Sequence, residues 1–355
     1  MAAPVVLSID AMSGDHGHEV AVSAALAVLR EHEALQLILV GDYATLKKAL
    51  ASRKQYKHTR LSIQHASEVV EMDELPSKAL RGKKDSSMRV AVNLVKEGRA
   101  QAAVSAGNTG ALMATAKFVL KTLPGVDRPA IISAIPSANG HVHVLDLGAN
   151  AECSPEMLFQ FAVMGAALVT AVYGIERPRV ALLNIGAEEI KGNDTIKAAA
   201  AMLQQSKLNY IGFVEGDGIF LSDVDVVVCD GFSGNVALKT GEGVARMIAQ
   251  FLREEFSRNL LHKVTGLLAK PALKSLGRRV DPRNYNGASF AGLNGIVIKS
   301  HGGADEVAFA NAIRVALREV QNDVPARIAS LLGDSLVHAP APAAVPAPAQ
   351  DQAAA

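Results

Sequence analysis

Short runs of β-branched and other apolar residues alternate along this chain with longer stretches in which apolar positions recur every three or four residues. The first pattern predicts strands at Val5–Ile9, Leu37–Val40, Leu61–Ile63, Ala102–Val104, Ala130–Ile135, Val142–Leu147, Val180–Ile185, Tyr210–Val214, Val224–Cys229 and Ile296–Ile298. The second predicts helices between many of them, among them Glu19–Glu31, Ser86–Glu97, Pro155–Val172 and Thr195–Gln205. Strands and helices in alternation predict an α/β fold, a mainly parallel sheet sandwiched by helices in three layers (α/β/α). No internal repeat of fixed period is present, and residues 1–333 read as a single domain. Residues 334–355 are rich in Ala and Pro with almost no charge, a composition that builds no core, so a disordered tail is expected there.

Composition narrows the picture. Of the 355 residues 49% are hydrophobic, yet only 4% are aromatic and none is Trp, so the core must be built from Ala, Val, Leu and Ile, as packed βα layers are. Thirty-six basic against 35 acidic side chains leave a formal charge of +1, which gives no global field for nucleic acid. The two cysteines, Cys153 and Cys229, lie far apart and lack CxxC spacing, which argues against a zinc site or a disulfide framework and for a reducing, cytoplasmic setting. No basic n-region precedes Val5, and no uninterrupted apolar run of about 18 residues occurs, so neither a signal peptide nor a membrane span is expected.

The chemistry gathers where strands end. Polar and glycine clusters follow strand after strand: Asp10 to Asp15, Ser105 to Gly110, Asp146 to Asn150, Asn184 to Asn193, Asp230 to Asn235 and Lys299 to Gly303. In an open parallel sheet the carboxyl ends share one edge, so these clusters should converge on one site. Ser105-Ala106-Gly107-Asn108-Thr109-Gly110 runs into an apolar helical stretch. Small residues, two hydroxyls and the free N–H groups of a helix start suit it to an anion such as phosphate. The same loop also reads as an ordinary turn capped by Asn108 or Thr109. No GxxxxGK[ST] is present, and Gly216-Asp217-Gly218 and Gly241-Glu242-Gly243 lack the third glycine of a dinucleotide site, which argues against ATP and NAD, and no cofactor is expected. No nucleophile elbow or metal-ligand spacing appears, so no metal is expected either. Free phosphate in the loop can itself be a nucleophile, which leaves the protein the tasks of positioning and charge.

These motifs, in this order, resemble the PlsX family of phosphate acyltransferases over residues 5 to 332. The resemblance rests on Asp10-Ala11-Met12 with Gly14-Asp15, Arg81 to Met88, Ser105 to Leu112, Asp146 to Asn150 with Cys153, Gly186 to Gly192, Asp230 to Asn235 and Lys299 to Gly302. It implies transfer of a long-chain acyl group from acyl carrier protein to inorganic phosphate for phospholipid synthesis. It implies also a homodimer peripherally bound to an anionic membrane surface, with a downstream glycerol-phosphate acyltransferase as a further partner and a fold similar to phosphate acetyltransferases and isopropylmalate dehydrogenases. Carried onto this chain, the family's catalytic residues fall on Lys191 and Asn235. Lys191 would stabilise the oxyanion of an attacked thioester, with Asn235 donating to the same oxygen or to phosphate. His301 would protonate the leaving thiolate or merely cap its loop. Ser105, Gly107, Asn108, Thr109 and Gly110 would hold phosphate, with Asp10, Asp146, Asn150 and Lys299 as further substrate contacts. Two departures stand out: Ser13 replaces a usual Gly, and His16-Gly17-His18 replaces a stretch with Pro. A left-handed backbone at Ser13 would be strained.

One stretch lies outside those motifs. From Phe256 to Val280 no acidic residue occurs, while Arg258, Lys263, Lys270, Lys274, Arg278 and Arg279 are interleaved with leucines. A basic amphipathic segment at about 245–280 is expected, bent into two pieces by Gly266 and Pro271. Leu260, Leu261, Val264, Leu267 and Leu268 would contact the membrane, or pack within a dimer. This surface, or Lys47, Lys48, Arg53, Lys54 and Lys57, also suits an acidic carrier protein. A short-chain acyltransferase using acyl-CoA and a non-catalytic membrane-docking scaffold are the alternative readings.

Overall fold

A computed structural model describes residues 4–55 and 58–336. The elements run β1 (Val5–Asp10), α1 (Gly17–Glu31), β2 (Leu35–Gly41), α2 (Tyr43–Ser52), β3 (Leu61–His65), α3 (Pro76–Gly82), α4 (Ser87–Lys96), β4 (Ala102–Ser105) and α5 (Thr109–Leu120). A hairpin, β5 (Ala130–Ser137) and β6 (Gly140–Leu145), precedes α6 (Pro155–Tyr173), β7 (Arg179–Leu183), α7 (Asp194–Gln204), β8 (Asn209–Val214), α8 (Gly218–Leu221) and β9 (Val226–Val228). Two long helices follow, α9 (Gly231–Ser257) and α10 (Leu260–Arg279). A short 3-10 turn, Pro282–Tyr285, leads to β10 (Ala288–Ala291), β11 (Ile296–Lys299), α11 (Glu306–Gln321) and α12 (Val324–Leu336). Each expected strand and helix is present. The sequence pattern missed β10, whose four residues Ala-Ser-Phe-Ala carry no β-branched side chain. Of the expected tail, residues 334–336 belong to α12, and 337–355 lie outside the described residues.

Among the described residues, eleven strands form one sheet in the order β3-β2-β1-β4-β11-β10-β5-β6-β9-β7-β8. Seven of the ten pairings are parallel, but β10 runs against both β11 and β5, and β5 against β6. The three reversals leave the β3–β11 block and the β6–β8 block pointing in opposite directions. The expectation of one shared carboxyl edge is therefore corrected. Pairings nevertheless carry a single row across the sheet through Ile9, Val104, Ile298, Ser289, Ile132, Leu145, Val228 and Leu182. Each named residue of the two outer blocks is the last or near-last of its strand, so both sets of strand ends reach the same level from opposite sides.

Alternating side chains fill cores on both faces. Val226 and Val228 turn toward α6, α7 and α12, whereas Val227 turns toward the face covered by α4 and α5. Leu7 and Ile9 pack against α1 and α11. Helix α6 is long and apolar enough to cross a membrane, but 78% of that apolar window is buried, and Gly165 lets it sit directly on Leu145 and Val226. It is a core helix.

The α9–α10 pair departs from this pattern. Helix α10 has no buried residue and α9 buries only Gly231 and Gly234 near its start. Gly266 and Pro271 do not split α10, which is continuous for 20 residues. Gly266 lies against the Phe256 ring of α9, where a Cβ would meet the ring at 2.9 Å, so the glycine serves helix packing rather than a break. Pro271 costs one intrahelical bond, which a helix this long absorbs. Along the pair a row of large apolar side chains faces outward, including Val244, Ile248, Phe251, Leu267 and Leu268.

Candidate active site

At the end of β1, the buried Asp10 carboxylate accepts the Ser105 hydroxyl proton at 2.6 Å and the Met12 N–H at 3.3 Å. Ser105 Oγ in turn accepts the Gly107 N–H at 3.1 Å, so this buried hydroxyl shapes the loop after β4 from within. Lys299, opposite Ser105 on β11, donates from Nζ to the carbonyls of Ala106 and Ser300. Burial holds its ammonium down at about 8, and the Lys239 charge adds to this, while Asp10 and Asp15 oppose it. Backbone bonds lock the three loops together: Ser300 N–H donates to Ser105 O at 2.8 Å and Asp15 N–H to Gly302 O at 2.9 Å. Gly14 sits at their junction with φ +91°, and a Cβ there would stand 2.9 Å from the Ala106 Cβ. The left-handed residue of the first loop is Gly14, whereas Ser13 is not at positive φ, so the expected strain at Ser13 is absent.

The anion loop continues into α5. Asn108 caps this helix, its Oδ1 accepting the Ala111 N–H at 2.9 Å while Nδ2 donates to Met72 O and Glu74 O at 2.7 and 3.1 Å. Its amide is thus committed to the frame. The N–H groups of Thr109 and Gly110 open the helix, where no intrahelical acceptor exists, and both residues are exposed. Gly110 lets the Pro76 ring approach; a Cβ would meet it at 2.8 Å. What faces solvent is a helix N-terminus with two free amides and the Thr109 hydroxyl, beside the loop that carries the buried Lys299.

A second group forms at the ends of β6, β7 and β9. The Asp146 carboxylate accepts N–H groups of Ile131, Ala149 and Asn150 at 3.0, 3.0 and 2.7 Å and the Asn150 side-chain amide at 2.9 Å. Burial raises its pKa, against the pull of those four bonds. Asn150 also donates to Pro129 O, and its carbonyl accepts the Gly231 N–H at 2.7 Å. Asp146 and Asn150 therefore clamp the start of α9, an approach so close that a Cβ on Gly234 would stand 2.0 Å from Asp146 O. The clamp delivers Asn235 beside Gly148 with its amide exposed and unpaired among the described residues. Lys191 stands on the loop after β7, the strand next to β9, and is exposed with no ion pair or side-chain hydrogen bond among the described residues. Exposed Ile185, Ile190, Phe232 and Val236 flank these two polar groups in sequence.

The structure thus divides the expected site residues into two groups, Asp10, Ser105–Gly110, Lys299 and His301 in one and Asp146, Asn150, Lys191 and Asn235 in the other. No described side-chain bond joins Lys191 or Asn235 to the anion loop. The link is α9: Lys239, one turn beyond Asn235, lies close enough for its charge to act on Lys299. Sequence reasoning passed over Lys239, although the i, i+4 spacing from Asn235 places both on one helix face. His301 Nδ1 accepts the Gly303 N–H at 3.1 Å, which leaves the proton of the neutral ring on Nε2. Neither cysteine is poised as a nucleophile: burial pushes the Cys153 thiol up to about 12 and the Cys229 thiol higher.

Comparison with known proteins fits this geometry. The model of a family described as "Fatty acid synthesis protein" matches residues 5–327. A protein of Halorhodospira halophila named phosphate acyltransferase is 58% identical over 338 residues, 94% of this chain and 98% of its own. One of the same name from Nitrosococcus oceani is 60% identical over 328 residues, covering 92% and 96%. Among solved structures, a phosphotransacetylase from Streptococcus pyogenes superposes with a TM-score of 0.62 at 16% identity, covering 90% of this chain and 95% of that one. A branched-chain phosphotransacylase from Enterococcus faecalis gives 0.52 at 14%, covering 90% and 99%. These two share the fold.

Proposed function

This chain belongs to the fatty acid synthesis protein family, whose close relatives are phosphate acyltransferases, and from that premise we propose that it moves a long-chain acyl group from acyl carrier protein to inorganic phosphate for phospholipid synthesis. Acyl transfer to phosphate is the activity of the enzyme; the carrier-bound donor, the pathway and the roles below are our reading. The observation that carries it is the free N-terminus of α5 beside buried Lys299, an anion seat without nucleotide-binding features and with both cysteines held as thiols.

Phosphate seated on the Thr109 and Gly110 amides is drawn by the helix dipole and by Lys299. One of its oxygens attacks the thioester carbonyl carbon and forms the new C–O bond. The carbonyl oxygen becomes an oxyanion that Lys191 and Asn235, the two unpaired donors of the second group, stabilise. On collapse the C–S bond breaks and its electron pair leaves on sulfur, which takes the proton that the attacking hydrogen phosphate gives up, while His301 Nε2–H donates a hydrogen bond to the departing thiolate. The acyl phosphate then departs. Of the remaining expected contacts, Ser105, Asn108, Asp10, Asp146 and Asn150 act by holding the loops, while Gly107 and Gly110 give them close approach.

Exposed Leu260, Leu261, Val264, Leu267 and Leu268, at 81, 71, 51, 67 and 77% exposure, form one stripe of α10 with basic residues around it. A stripe of that kind suits the surface of an anionic membrane, into which a long-chain acyl phosphate partitions, and the apolar row of α9 suits a second copy of the chain. We place the protein in the cytoplasm, peripherally bound, handing its product to a glycerol-phosphate acyltransferase.

The test is donor choice. Palmitoyl carrier protein with phosphate is expected to give hydroxylamine-trappable acyl phosphate at least tenfold faster than acetyl-CoA does. A preference for acetyl-CoA would favour the short-chain reading, and full biological activity of Lys191→Ala would favour the scaffold.

A further inference from the structure

Between the α9–α10 pair and the Lys299–Gly303 turn lies a short segment, 281–287, that belongs to neither and is bonded to both. On the helix side, Asn284 Nδ2 donates to Arg278 O at 3.1 Å and the Tyr285 hydroxyl to Arg279 O at 3.0 Å, so the last turn of α10 is tied to it. On the catalytic side, Asn286 donates from Nδ2 to Ser300 Oγ at 2.8 Å and to Ala308 O at 2.7 Å, and its Oδ1 accepts the His301 N–H at 2.9 Å. Asn311 on α11 holds the segment's own carbonyls, those of Asn284 and Asn286, at 2.9 Å each. Gly287, with φ +120°, presses against Ala312, where a Cβ would stand 2.9 Å from the Cα.

Behind this segment the packing is open. Asn284, Tyr285 and Gly287 form one wall of a cavity of about 190 Å³ whose other sides are β5, β6, α6 and α11. Its floor holds the buried His143, whose Nε2 has no hydrogen-bond partner among the described residues. The segment therefore has room on its cavity side, where the Ser133 hydroxyl reaches Tyr285 O at 3.4 Å, and closer bonds on the other, which leaves it space to shift.

We infer that Asn286 is a positioning residue for acyl transfer, and that through it the segment 281–287 passes the docked or undocked state of the α9–α10 pair to the His301 turn. This rests on the membrane reading above. Asn286 touches no substrate; it fixes the backbone that carries Lys299 and His301. When α10 is pulled onto a lipid surface, its last turn moves Asn284 and Tyr285, and Asn286 follows.

The experiment uses the full chain with and without vesicles of phosphatidylglycerol and phosphatidylethanolamine. It follows vesicle sedimentation, the kcat for acyl phosphate, and the KM for phosphate. Wild type is expected to sediment with vesicles and to change kcat at least threefold on doing so. Asn286→Ala is expected to sediment equally, to lose most of the vesicle response, and to have a lower kcat with KM within about twofold. A second variant, Asn284→Ala with Tyr285→Phe, cuts only the α10 side and is expected to keep basal kcat while losing the response, which preserves the test if Asn286→Ala folds poorly. Wild type that fails to sediment removes the membrane reading and the coupling with it. Wild type that sediments with unchanged kcat, or variants that respond as wild type does, overturns the coupling alone.

Discussion

Lys299 carries the charge in this site that pH most readily removes. With its pKa at about 8, it is protonated at neutral pH and neutral a little above. If that ammonium draws phosphate to α5, kcat/KM for phosphate should fall as pH rises through about 8, and Lys299→Met should lower the plateau and flatten that limb. The stability effect has the opposite sense. Between about 8 and the usual lysine value the unfolded chain binds the proton and the folded one does not, so stability rises with pH across that window and the substitution should erase the rise. Lys191→Ala should lower kcat by about 100-fold or more with a small change in phosphate KM, the signature of a donor that acts on the oxyanion. At this scale the sequence was most informative where a residue's role follows from its position in a turn. Lys191 and Asn235 follow strands β7 and β9 in the chain and stand exposed, with no side-chain partner among the described residues. The hydroxyl of Ser105 and the amide of Asn108, in contrast, are spent on Asp10, Ala111 and the 72–74 backbone. The Asn108 cap on Ala111 was legible as a helix start, but Asp10 and the 72–74 backbone lie 34 to 95 residues away from their partners, and no local pattern announces them.

Among elements, the start of α9 is the most constrained. Gly234→Ala places a Cβ on the Asp146 carbonyl, and neither backbone can yield while Asp146 and Asn150 hold their bonds. A loss of several kcal/mol is expected, read as a fall in thermal midpoint of about 4–7 °C together with lost activity. The apolar stripe of α10 behaves differently, because among the described residues it stands largely exposed. Leu267→Asp with Leu268→Asp should abolish sedimentation with anionic vesicles while leaving the melting temperature within about 2 °C of wild type, since exposed positions contribute little to the fold. Periodicity gave these helices their existence but not their extent. Gly266 and Pro271 looked like breaks because a sequence shows a glycine's freedom and not the Phe256 ring that fills the space beside it. Strand β10 escaped for a related reason: its small residues are held by β11 and β5 on either side rather than by their own preference.

On the scale of the molecule, strand direction was the illegible feature. Alternating strands and helices imply parallel pairing, yet the β5–β6 hairpin and β10 reverse the sheet at its centre, and only long-range pairing decides that. Beside the reversed strand β10 lies the buried Glu319, which accepts the Ser289 hydroxyl at 3.0 Å and is pushed by burial up to about 7. Its folded pKa exceeds the ordinary glutamate value, so the fold binds the extra proton between about 4.5 and 7 and loses stability as pH rises through that range. Glu319→Gln should remove this loss. Urea unfolding at pH 5 and pH 8 should show a gap for wild type, on the order of 2–3 kcal/mol, that the variant lacks. The same central reversal brings the start of α5 and the exposed Lys191 and Asn235 to one level of the sheet, and we place phosphate at the first and the thioester carbonyl at the second. Phosphate labelled with oxygen-18 in all four positions, mixed with palmitoyl carrier protein and enzyme, tests that chemistry directly by mass spectrometry of the product. Acyl phosphate that retains all four labelled oxygens is predicted. Unlabelled fatty acid as the sole product, or acyl phosphate short of one label, would contradict phosphate as the nucleophile.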